Sequence, residues 1–94
     1  MRIKKKLTIL NPQGLHARPA SIFVKIANQF QSDVTLKKGT EKVNGKSIMG
    51  ILMLAASQGS VVDIELNGPD AEEAMGRLEA FLTSEKEPDT EPLK

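Results

Sequence analysis

The stretch VVDIEL, Val61 to Leu66, decides how this chain folds. Val62, Ile64 and Leu66 alternate with Asp63 and Glu65, a period of two that turns every apolar side chain to one face and both acids to the other. A strand of this kind is wet on one side, so it belongs to an antiparallel sheet with one packed face. Working outward, the same alternation recurs. In Ile3 to Leu10, Ile3, Leu7 and Ile9 oppose Lys4, Lys6 and Thr8, with Lys5 breaking the pattern. Val34 and Leu36 oppose Asp33, Thr35 and Lys37; Lys38-Gly39-Thr40 then offers a turn and the chain returns through Val43 to Asn44-Gly45, a hairpin.

The segments between have helical period. From Ala17 to Phe30, Ile22, Phe23, Ile26, Ala27 and Phe30 fall on one face and Ser21, Lys25, Asn28 and Gln29 on the other. A short helix follows Ser47, and Gln58-Gly59-Ser60 leads into the fourth strand. After the turn Gly68-Pro69-Asp70, Asp70 reads as a helix cap with Glu73 completing a capping box, and the helix packs Ala74, Leu78, Phe81 and Leu82. The order β-α-β-β-α-β-α, with strands polar on one face, predicts an α+β open-faced β-sandwich: a four-stranded antiparallel sheet with three helices on one face. This domain is expected over residues 1–83. Residues 84–94 carry prolines, alternating charge and a single leucine, and are predicted to be a disordered tail.

Composition narrows the function. A chain of 94 residues suits one small domain. The absence of cysteine excludes a disulfide framework and a thiolate metal site. A formal charge of +1 argues against general nucleic-acid binding. In MRIKKKLTIL the apolar part is too short for a secretory segment, and Ile48 to Ala56 falls far below the roughly 20 residues of a membrane span. The expectation is a soluble, cytoplasmic protein without a cofactor.

The only histidine, His16, lies in GLHARPAS, Gly14 to Ser21, where a helix begins. First-turn N–H groups lack intrahelical acceptors and carry partial positive charge, which favours a bound phosphate and disfavours protonating a nearby ring. Such a ring is expected to act as a nucleophile. Arg18 adds a permanent cation whose forked donors suit phosphoryl oxygens. Pro19 is tolerated in a first turn and biases Arg18 away from helical angles. A lone histidine at a helix start is most often a surface or capping residue. A metal site would need further ligands that this segment lacks, and neither Ser21 nor Ser47 sits in the glycine pattern of a hydrolase nucleophile.

GLHARPAS after a first strand closely resembles the active-site segment of the HPr family, the histidine phosphocarriers of the bacterial phosphoenolpyruvate:sugar phosphotransferase system. KVNGKSIMGIL, Lys42 to Leu52, resembles the family's regulatory serine region, and the element order agrees. The resemblance spans about residues 3 to 82. It implies that His16 accepts a phosphoryl group at Nδ1 from Enzyme I and passes it to IIA proteins, with Arg18 stabilising charge and the Ala17 backbone N–H meeting the phosphate. The chain would then be a stoichiometric carrier rather than an enzyme, working as a monomer.

The second helix is apolar nearly all round, with Ile51, Leu54 and Ala55 in one arc and Ile48, Met49, Leu52 and Met53 in another. Only one arc can face the sheet. In HPr proteins the corresponding patch docks Enzyme I and IIA, which implies contacts by Ile48, Met49 and Leu52, bordered by Ala17 and Ala20. Arg18, Lys25 and Lys46 would ring them with positive charge. Ser47 is read as an N-cap, and the resemblance adds regulation by phosphorylation there, implying HPr kinase/phosphorylase and a transcriptional regulator as partners. Two alternatives remain open at this level: a carrier in a nitrogen-type regulatory phosphorelay, and a non-catalytic binding module acting through phosphorylated Ser47.

Overall fold

The computed structural model describes residues 1–85. Its elements are β1 (Arg2–Thr8), α1 (Ala17–Ala27), β2 (Asp33–Lys38), β3 (Glu41–Asn44), α2 (Ile48–Leu54), β4 (Val61–Asn67) and α3 (Ala71–Leu82). The four strands form one antiparallel sheet in the order β1-β4-β2-β3. The open-faced α+β arrangement expected from the alternation is the one observed.

Strand β4 lies between two partners, with Val62 opposite Leu7 of β1 and Ile64 opposite Leu36 of β2. These apolar residues are buried together with Phe23 and Ile26 of α1, Ile51 of α2 and Leu78 of α3. One continuous core therefore joins the sheet to all three helices. The acids of β4 remain on the other face, where Asp63 pairs with Lys6 at 3.0 Å and Glu65 with Arg2 at 3.0 Å. The hydrogen bond from Lys6 holds the Asp63 carboxyl below the usual carboxylate range. Exposed pairs of this kind contribute little to stability.

The break at Lys5 has a tertiary cause. Lys5 shares the packed side of edge strand β1 with Ile3 and Leu7, and its ammonium pairs with Glu79 of α3 at 2.7 Å. The stem lies over the core margin and the charge leaves at the edge.

Two local expectations are corrected. Helix α1 stops at Ala27 rather than Phe30; Asn28 caps it, its Nδ2 donating to Val24 O at 3.0 Å, and Phe30 is buried from the loop that follows. Asp70 occupies the N-cap position of α3, but its side chain makes no cap bond. Its carboxylate instead accepts from Gln31 N at 2.8 Å, Ser32 N at 2.9 Å and Ser32 Oγ at 2.6 Å, so no capping box with Glu73 forms. Phe81 packs against the core as expected, half-buried, its ring tilted 54° to that of Phe23 at 6.5 Å between centroids. Of the expected tail only Ser84 and Glu85 fall among the described residues; 86–94 lie outside them.

Candidate functional site

The approach to α1 is fastened on three sides. Leu10 N donates to Leu82 O at 3.0 Å, at the end of α3. Asn11 turns the chain: its Oδ1 accepts from Gln13 N at 3.0 Å and its carbonyl from Gly14 N at 2.9 Å. Leu15 N then donates to Ala56 O at 2.8 Å, just past α2. Gly14 has φ +63°, and a Cβ there would sit 2.7 Å from Ala56 O and 2.8 Å from Ser57 Cα. Only glycine meets both demands.

This loop delivers His16 to the N-cap of α1 in an extended conformation (φ −81°, ψ −165°), with an exposed side chain that makes no cap hydrogen bond. The carbonyl of His16 accepts from Ala20 N at 2.8 Å, which starts the helical ladder. Pro19 has no N–H, so among the opening amides Ala17 N–H is a donor beside the ring that the ladder does not use. Ala17 and Arg18 are exposed, and no acidic residue lies in the first turn to oppose an anion. His16, Ala17 and Arg18 are thus consecutive exposed residues at the opening of α1.

Helix α2 packs beside α1. Ile51 and Leu54 are buried, while Ile48, Met49, Leu52 and Met53 form an exposed apolar group. The two arcs are as the 100° spacing placed them, except that Ala55 is exposed: it caps α2 in the left-handed region at φ 53°. Met53, absent from the expected contact set, is 62% exposed and belongs to the same surface. Its place in the outer arc was the signal that could have included it. Ser47 is the N-cap, its Oγ accepting from Gly50 N at 3.1 Å.

Two expected contact residues are corrected. Ala20 is completely buried beneath α1 and has no surface to give a partner. The Lys46 ammonium is committed elsewhere: its Nζ donates to Phe30 O at 2.7 Å, in the loop that follows α1. Lys25 lies in the last turn of α1 with an exposed side chain. Among the described residues no group of His and carboxylates could hold a metal ion, and no helix is long and apolar enough to cross a membrane.

Comparison with known proteins agrees with this geometry. Residues 3–84 match the family described as the PTS HPr component phosphorylation site. The chain is 47% identical over 76 residues to the phosphocarrier protein HPr of Neisseria meningitidis serogroup A, covering 81% of this chain and 85% of that one. Its fold superposes on a crystal structure of HPr from Bacillus anthracis with a TM-score of 0.84 at 43% identity, covering 86% of this chain and 96% of the other. A crystal structure of Crh, a catabolite-repression protein of Bacillus subtilis described as an intertwined, domain-swapped dimer, matches with a TM-score of 0.72 at 44% identity, covering 88% and 95%. With its fold and residues 3–84 of its sequence in agreement, this chain belongs to the PTS-HPr family of phosphocarriers.

Proposed function

We propose that the chain relays a phosphoryl group from phospho-Enzyme I to IIA proteins, through Nδ1 of His16. The Nδ1 lone pair attacks phosphorus as the bond to the donor breaks, and the reverse exchange delivers the group to the next acceptor. Ala17 N–H and the Arg18 guanidinium meet the phosphoryl oxygens, where fixed donors stabilise charge developing in transfer. Most of the catalysis is positioning and electrostatics, and the partner enzymes complete the machinery. The chain itself is a stoichiometric carrier, not an enzyme. It acts in the cytoplasm as a monomer, with residues 1–83 as the working domain and 84–94 as an appendage.

The observation that carries this reading is the exposed His16 ring at the α1 N-cap, uncommitted to capping and beside the Ala17 amide. Ile48, Met49 and Leu52, with Met53, supply an apolar surface on the neighbouring helix for docking Enzyme I and IIA. Phosphorylation of Ser47, at the edge of that surface, adds up to about two negative charges where an acidic partner must approach. Docking weakens while the fold persists.

Incubation with Enzyme I, phosphoenolpyruvate and magnesium, followed by intact mass measurement, tests the relay. One acid-labile phosphate, absent in His16→Ala, supports it; no adduct on the wild-type chain overturns it. Light scattering of the same sample reads the oligomeric state.

A similarity to Crh favours a second reading, a regulatory module acting through phosphorylated Ser47. Retention of His16 favours the carrier. A chain that stays unlabelled by Enzyme I yet binds a transcriptional regulator after Ser47 phosphorylation would establish the second.

A further inference from the structure

The methionines of this chain are divided between two environments. Met75 is 3% exposed in the core, whereas Met49 and Met53 on α2 are 66% and 62% exposed. Their spacing of four residues puts both thioethers on one side of the helix, next to Ile48 and Leu52. The chain has no cysteine, so no thiolate competes with them for an oxidant. Met1 is the one other exposed methionine among the described residues, and it precedes edge strand β1, outside the α2 surface.

We infer that Met49 and Met53 form a reversible oxidation site through which peroxide weakens partner docking. The inference rests on the docking role proposed above for α2. The chemistry is balanced: a sulfur lone pair attacks one peroxide oxygen, the O–O bond breaks, the sulfur gains that oxygen as a sulfoxide and the remainder leaves as water. A dithiol-dependent methionine sulfoxide reductase reverses it, with the dithiol becoming a disulfide and the oxygen leaving as water.

Oxidation changes this surface more than its small size suggests. A thioether is flexible, polarizable and apolar, which suits packing against varied partners. A sulfoxide carries a strong acceptor, and burying it against an apolar partner without a donor is costly. Because both residues are solvent-exposed and outside the core, oxidation leaves the fold and the His16 loop intact. The effect falls on association and not on the transfer chemistry.

The test compares the full chain before and after mild hydrogen peroxide treatment, with peptide mapping to locate the added oxygens. The expected result is oxidation at Met49 and Met53 and a KM for Enzyme I raised roughly tenfold, the scale set by burying one unmatched polar group. The final extent of His16 labelling should be unchanged, and a methionine sulfoxide reductase should restore the KM. The double variant Met49→Leu/Met53→Leu removes both thioethers while retaining Met1 and Met75, so its KM, whatever its starting value, should no longer change on peroxide treatment. Complete oxidation at both positions with an unchanged KM would overturn the inference alone, as would equal peroxide sensitivity in the double variant. An unoxidised chain that accepts nothing from Enzyme I would overturn the carrier reading, and this inference with it.

Discussion

Leu15 N donates to Ala56 O at 2.8 Å, tying the residue before His16 to the chain just beyond α2. The bond holds the His16 loop against the end of α2, where Gly14 approaches the Ala56–Ser57 backbone so closely that there is no room for a Cβ. The prediction is that Gly14→Ala destabilises the fold by roughly 1–3 kcal/mol, from positive φ and the clash together. Chemical denaturation reads the loss, and the same variant should accept phosphate more slowly under conditions where it remains folded. An unchanged midpoint would show that the loop can yield.

Ser47 separates structure from regulation. Its Oγ caps α2 through Gly50 N, so Ser47→Ala should cost about 1 kcal/mol of stability. Aspartate is an equally good cap, so Ser47→Asp should hold the wild-type midpoint yet slow acceptance from Enzyme I. Slower transfer in the alanine variant, with normal transfer in the aspartate one, would contradict the charge argument.

Asp70 gives the fold an acid-sensitive joint. The hydrogen bond from Ser32, with backbone bonds led by Gln31 N, holds its carboxyl below the usual value of 3.8. A depressed carboxyl contributes stability that is present in full above its unfolded pKa, near 4, and is lost as pH falls through the lower folded value. Asp70→Asn should therefore lower Tm by a few degrees at neutral pH, and that deficit should shrink below about pH 4. A deficit independent of pH across the acid range would assign the effect to shape instead of charge.

Ala55 ends α2 at φ 53°, where glycine is the usual residue. Ala55→Gly should raise stability by up to about 1 kcal/mol, since an L side chain is strained there. Thermal unfolding checks the sign, and a lower Tm would mean that the looser unfolded chain outweighs relief of strain.

Much of the fold was legible because period two is robust: Val62, Ile64 and Leu66 needed only their own neighbours to declare a face. His16, Arg18 and the α2 arcs were legible for a similar reason, being local features of one helix start and one short helix. What local pattern could not carry was decided by distant partners. Asp70 looked like a cap because Glu73 follows at the right spacing, but Ser32, far away in sequence, captures its carboxylate. Lys5 looked like an irregularity until Glu79 supplied its counter-charge. Lys46 reads as part of a charged rim, yet the loop after α1 offers it the Phe30 carbonyl. Ala20 is close to His16 in sequence, and helical geometry turns it inward nonetheless.

The central claim is that the exposed His16 ring carries the transferable phosphoryl group on Nδ1. Phosphorus–nitrogen correlated NMR of the chain after phosphorylation by Enzyme I tests it at the level of one atom. The account predicts a single phosphorus signal coupled to Nδ1 of His16 and lost on acid treatment. A signal on Nε2, or an acid-stable phosphate on a hydroxyl, would contradict it.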